Sequence, residues 1–254
     1  MNSAFESRRA LPGILLAGLL FTTPVSAGGA RILIGVESAT SVTGVARYRL
    51  TEYLRTQGCE ADVRFNTEAP GLALAFLPGV PGGAVPILEA VNRDGQLPVP
   101  VWVTRGTAGV RHIRELQGRD LATVAGKEPL GASLPLAALR QQGIIPEPGR
   151  LYEAGDYSSA LGLLLHNNTH AAVSELGFVK PFLTGNNLVV SWRGEPVKAA
   201  GWFRQAGWNP AAEACEQALA RRQRSDDPQM FVIFPEWVFG FALPDSQYSK
   251  DSMQ

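Results

Sequence analysis

Few residues in this chain suit covalent or metal chemistry. Its 254 residues include only two cysteines and three histidines, a poor supply for a clustered zinc site. His166 and His170 stand four apart, but Asn167-Asn168 between them reads as a turn that ends a helix, and only His112 is left as a third ligand. No G-x-S-x-G nucleophile elbow and no Walker-type glycine loop occurs. An excess of one charge is missing too: 23 basic residues balance 23 acidic ones. Without a basic stripe, nucleic acid is not an expected partner. Beyond residue 25 no apolar run approaches the ~20 residues of a membrane helix. Together these gaps argue against an enzyme, a metalloprotein or a cofactor carrier. A small solute and another protein remain as the expected partners.

The N-terminus does carry an address. Arg8 and Arg9 precede an apolar run over residues 14–25, and Val25-Ser26-Ala27 places small residues at a cleavage point. The run is about 12 residues, short for a membrane span. Residues 1–27 are therefore expected to be a cleavable signal peptide, with the mature chain free in the periplasm of a Gram-negative bacterium and not inserted in the membrane. In such an oxidising compartment Cys59 and Cys215 could pair, or could stay as two separate buried thiols.

Strand and helix patterns alternate along the mature chain. Apolar alternation predicts strands over 31–37, 61–65, 72–77, 99–104, 121–125, 151–154, 171–174 and 188–192. Helical spacing predicts helices over 45–57, 85–92, 134–142 and 158–165. Asn209-Pro210 starts another, running to about residue 222. The aromatic-rich run over 230–243 fits either a terminal strand or a helix packed across the molecule. This order implies an α/β architecture with largely parallel sheets. Only residues 66–71 join the second and third strands, whereas a parallel crossover normally takes a dozen or more residues. Those strands are then antiparallel, or the connecting helix is absent.

Ligands of open α/β sheets gather where strands end and loops enter helices, and helix N-termini suit anions. Three loops have that context. The first supplies the hydroxyls of Ser38, Thr40, Ser41 and Thr43. The second supplies Lys127, Glu128, open backbone at Gly131, and Ser133. The third supplies Asp156, Tyr157, Ser158 and Ser159. Ordinary helix capping uses the same residue types. Five tryptophans are available for stacking, with Trp192 and Trp202 the best placed in sequence to line a cleft.

The stretch Ile113-Arg-Glu-Leu-Gln-Gly-Arg119 with its following strand, the Gly155–Leu161 segment and the strand at 170–173 resemble the periplasmic phosphate/phosphonate-binding proteins of ABC importers. That resemblance implies a two-lobed type 2 periplasmic-binding-protein fold with a hinge and an interlobe cleft. Lobe 1 would comprise residues 28–104 plus 188–254 and lobe 2 residues 105–187, with crossings near Thr104 and Leu188. It also implies an ABC permease as partner, or a periplasmic sensor system if the fold has left transport. The ligand loops depart from the family. Glu128-Pro-Leu-Gly131 stands in place of its Ser-Thr-Ser-Gly loop, and Asp156-Tyr-Ser158 in place of its Ser-His-Asp. Each change adds an acid where an anion would sit. The expected ligand is a small solute, an anion among the candidates, but not a standard phosphonate.

Overall fold

The structure is a computed structural model and describes residues 31–38, 40–83 and 85–244. The expected signal peptide lies outside them. Among the described residues, no helix is long and apolar enough to cross a membrane.

Two mixed sheets form the frame. The first contains β1 (Ile32–Val36), β2 (Ala61–Phe65), β3 (Leu74–Pro78), β4 (Leu88–Val91), β10 (Ala200–Arg204) and β11 (Gly240–Ala242), in the order β11-β4-β10-β3-β1-β2. The second contains β5 (Pro100–Arg105), β6 (Leu121–Val124), β7 (Leu151–Ala154), β8 (Ala171–Glu175) and β9 (Leu188–Arg193), in the order β7-β6-β8-β5-β9. In the first, β1 pairs parallel with both β2 and β3. In the second, β6 pairs parallel with β7 and β8, and β5 runs antiparallel to β8 and β9.

The helices follow their apolar spacing. Helix α1 (Gly44–Thr56) buries Ala46, Leu50 and Leu54, one stripe at four-residue intervals. Helices α2 (Ser133–Gln141) and α3 (Tyr157–Leu165) cover the second sheet, with α3 burying Ala160, Leu161 and Leu164. Helix α4 (Leu176–Leu183) follows β8 directly, although Pro181 lies inside it. Helix α5 (Glu213–Arg221) is entered through a 3-10 turn at Pro210–Ala212, with Asn209 accepting from the Ala211 N–H as predicted for a cap. Cys59, just beyond α1, is joined to Cys215 of α5 by a disulfide. Of the two fates left open for the cysteines, the structure has the bond.

The second and third strands do not pair. Both are parallel to β1 and flank it on opposite sides, so the crossover exists without a helix. The connecting loop runs over β1 at Gly35. A Cβ there would stand 3.1 Å from the Leu72 side chain. The missing side chain lets the loop lie on the strand, and the Ala73 N–H donates to the Leu33 carbonyl at 2.8 Å. Asn66 and Gly71, both at positive φ, turn the chain at the loop's two ends.

Three expectations are corrected. The segment read as a helix over 85–92 is strand β4, since pairing with β10 and β11 outweighs the helical character of Leu88, Glu89 and Ala90. The run over 230–243 is neither one strand nor a helix. It forms a 3-10 turn at Phe231–Ile233, an irregular bend, and the short β11. The strands at 99–104 and 188–192, assigned to the first lobe, pair within the second sheet as β5 and β9. The first is a buried run and the second a half-buried one, and nothing local says which sheet either joins. The chain therefore passes from one sheet to the other over residues 92–99 and 194–199.

The crossings are tied down by one buried acid. Glu175, fully buried, accepts from Asn92 Nδ2 at 2.9 Å, the Val99 N–H at 3.1 Å and the Phe178 N–H at 2.8 Å. It thus joins both ends of the first crossing to the start of α4. In the first lobe Phe76, Trp202, Phe231, Phe234 and Phe241 pack edge to face, with Phe76 and Phe234 centroids 4.7 Å apart. Each such ring contributes roughly 1.5–3 kcal/mol by leaving water.

Candidate functional site

The loop after β1 meets the loop after β6 through Glu37 and Lys127. Beneath the loop after β1 lies a cavity of about 450 Å³. Its apolar floor is Val36, Leu72, Ala75, Phe76 and Leu77. The polar rim is Glu37, Ser38, Asn66, Thr67, Glu68 and Gln205 from the first lobe and Lys127 from the second. Lys127 Nζ sits 2.5 Å from Glu37 Oε1, an ion pair between the lobes. The paired carboxylate is the main reason the Lys127 ammonium holds its proton more tightly than usual. Glu68 adds a smaller pull of the same sign.

Of the first loop's hydroxyl residues, Ser38 borders this cavity, while Thr40, Ser41 and Thr43 do not line it. Ser38 and Thr40 serve the loop itself. Ser38 Oγ accepts from the Thr40 N–H, and Thr40 Oγ1 from the Val42 N–H. The Ser38 N–H donates to Asn66 Oδ1 at 2.7 Å. Ser41 is exposed, and Thr43 precedes α1 without a side-chain cap bond.

The second loop folds inward. Glu128 Oε1 accepts from the Leu130 N–H at 2.7 Å, and Oε2 accepts from the Tyr157 hydroxyl. Burial pushes the Glu128 carboxyl up to about 7, against the opposing pull of the Tyr157 hydroxyl and nearby backbone N–H groups. Burial, followed by the Glu128 charge, drives the Tyr157 hydroxyl well above the usual phenol range, so it stays a donor. Gly131 is a packing glycine. An added Cβ would lie 2.9 Å from Val124 Cβ, and its carbonyl accepts from the Val124 N–H at 2.8 Å. Ser133 Oγ donates to the Pro129 carbonyl at 3.3 Å and faces solvent.

The third loop forms the N-terminus of α3. Asp156 caps it by accepting from the Ser159 N–H at 2.7 Å, and Tyr157 is buried. Ser158 meets a group that sequence reasoning did not select. Its N–H donates to Glu236 Oε2 at 2.7 Å and its hydroxyl to Glu236 Oε1 at 2.6 Å. Glu236 lies in the first lobe's aromatic bend. Beside it the buried Trp237 indole N–H has no acceptor at hydrogen-bond geometry, yet lies near enough to favour the ionised form of Glu128. Arg224 organises the bend. Its guanidinium donates to the carbonyls of Val238 at 2.8 Å, Phe231 at 3.1 Å and Pro235 at 2.9 Å. Burial lowers this guanidinium to about 10. No local motif marks Glu236. The one signal was an acid among Phe, Pro and Trp, a costly place for a charge without a partner.

The tryptophans favoured for the cleft sit elsewhere. Trp202 is fully buried in the aromatic core, and Trp192 packs beside Leu134 and Ala138 of α2. Trp237 is the one at the lobe boundary. His170 Nδ1 lies 3.1 Å from Asp120 Oδ2, and no metal-binding cluster occurs among the described residues.

Solved structures share this fold. XAC2383 of Xanthomonas citri, bound to chloride, superposes with a TM-score of 0.59 at 14% identity, covering 86% of this chain and 93% of that one. This is the type 2 periplasmic-binding-protein fold. PhnD1 of Prochlorococcus marinus, in complex with methylphosphonate, gives 0.58 at 13% identity over 87% of this chain and 95% of that one. The binding-protein component of an ABC phosphonate transporter from Pseudomonas aeruginosa gives 0.54 at 12% identity, over 84% and 80%. No protein-family model matches the chain, and no curated protein matches its sequence. The two-sheet, two-lobed fold is thus shared with these binding proteins at no more than 14% identity.

Proposed function

We propose that this chain is an exported solute-binding protein that takes a small solute bearing an ammonium group in the cavity over β1 and β3. The observation that carries this reading is the charge around that cavity. Two carboxylates, Glu37 and Glu68, border it, and its one lysine is already paired with Glu37. An anion entering here meets net repulsion, whereas an amine can replace Lys127 on Glu37 and set its carbon body on Leu72, Ala75 and Leu77. Export to the periplasm is supported by the pattern of residues 1–27. Lobe closure about residues 92–99 and 194–199 would then present the loaded protein to a membrane permease.

A thermal-shift screen with amines, inorganic anions and organic acids tests the reading. Saturable stabilisation by an amine, lost in Glu37→Gln or Glu68→Gln, is the expected result. Stabilisation by anions alone would overturn the charge assignment.

A second reading is an accessory or sensor module of another periplasmic system. It is favoured by the side-chain contacts that already join the lobes, Glu37 to Lys127 and Glu236 to Ser158. No response to any solute class in the screen would favour it.

A further inference from the structure

The N-terminus of α3, one of the three loops expected to bind the ligand, takes no part in the cavity over β1 and β3. Its first-turn N–H groups carry the positive end of a nine-residue helix. Asp156 satisfies the Ser159 N–H, and the Ser158 N–H and hydroxyl point across the lobe boundary. What they meet there is one carboxylate, gripped at both oxygens. Charge-assisted bonds of this kind are about twice as strong as neutral ones.

That carboxylate is delivered by a braced loop. Phe231, Phe234 and Phe241 are buried in the first lobe's core on either side of Glu236. Arg224 ties the bend together through backbone carbonyls before and after that residue, without pairing directly to its charge. The loop therefore keeps its shape independently of the second lobe, and Glu236 projects from it as a fixed group.

We infer that Glu236 is a built-in carboxylate ligand for the α3 N-terminus, which latches the two lobes together and keeps free anions out of that site. A tethered group competes at an effective concentration on the order of millimolar or above. A dissolved carboxylate or phosphate must exceed that to displace it, and would still meet Glu128 and Asp156 close by. The latch is distinct from the cavity proposed above to hold the solute. It stands or falls separately, because its test uses anions and lobe geometry and no amine.

The experiment compares the mature protein with Glu236→Ala. Spin labels at exposed Arg64 on the first lobe and Glu153 on the second report the interlobe distance by pulsed electron resonance. Isothermal titration with acetate and inorganic phosphate reports the site. The wild type should give one narrow distance distribution and no binding below millimolar anion. Glu236→Ala should broaden the distribution towards longer distances and gain at least tenfold in affinity for one of the anions. Ser158→Ala, which removes one of the two bonds from the opposite lobe, should broaden the distances to a lesser degree. If Glu236→Ala does not fold, Glu236→Gln carries the same comparison, since it removes the charge and keeps the shape. Unchanged distances together with unchanged anion affinity in the folded variants would overturn the latch.

Discussion

The Asn92 side-chain amide donates to the Glu175 carboxylate at 2.9 Å, and both residues are buried where the chain passes between the sheets. The same carboxylate receives the Val99 and Phe178 N–H groups. Three donors from three segments converge on one acid, so the crossing has a fixed pivot. Removing the acid strands all three donors in a dry site, each at about 1–3 kcal/mol. Glu175→Ala should therefore cost on the order of 3 kcal/mol or more in urea denaturation. Gly177→Ala should loosen the same point while keeping the acid in place, because an added Cβ would stand 3.0 Å from Asn92 Nδ2 and 3.1 Å from Glu175 Oε2.

The disulfide closes a long loop. Cys59 and Cys215 are 156 residues apart and fasten α1 to α5 within the first lobe. Replacing both with alanine should lower stability by roughly 2–5 kcal/mol. Denaturant midpoints with and without reductant check this. The wild type should fall on reduction to near the double variant, which itself should not respond.

Glu128 makes stability depend on pH. Its carboxyl is raised from 4.5 to about 7 in the folded protein, so the native state binds a proton that the unfolded chain releases earlier. The stabilising contribution is complete below about pH 4.5 and is lost as pH rises through about 7, a span worth on the order of 3 kcal/mol. Glu128→Gln should flatten that part of the profile. Melting temperatures of both proteins between pH 4.5 and 8 give the comparison, and parallel profiles would contradict it.

Gly131 should tolerate no side chain. Gly131→Ala brings a methyl group against Val124 and should cost about 1–3 kcal/mol through overpacking. Gly149, where an added Cβ meets nothing within 4 Å, supplies the control, and Gly149→Ala should be nearly neutral. Equal effects from the two would show that Gly131 is not confined as described.

Local pattern carried most of the second lobe. The strand predicted over 151–154 is β7 residue for residue, and Gly143 ends α2 at positive φ. What failed depended on partners distant in the chain. Leu88, Glu89 and Ala90 are as good in a helix as in a strand until β10 and β11 arrive to pair with them. Helix α4 escaped notice because Pro181 argues against it, while the cap that starts it comes from the buried Glu175. The loops chosen for the site are the loops that meet at the lobe boundary. The hydroxyls of Ser38, Thr40 and Ser133, however, are spent on their own turns, and those of Tyr157 and Ser158 on the carboxylates of Glu128 and Glu236. Glu236 stands 78 residues from Ser158, and no spacing rule links an acid in an aromatic bend to a helix start so far away.

The loop that crosses β1 at Gly35 has a consequence for recognition. A full crossover helix would roof that face of the sheet with side chains and aim an N-terminus at whatever entered. Here Leu72 reaches over the strand at Gly35, and the space beside it is the cavity bordered by Ala75, Leu77 and Gln205. A solute lodged there would rest on bare sheet, its selectivity set by the girth of two or three aliphatic residues and the reach of Glu37 and Glu68. Enlarging Ala75 to valine or leucine would then shorten the longest solute accepted, much as a raised floor shortens a room.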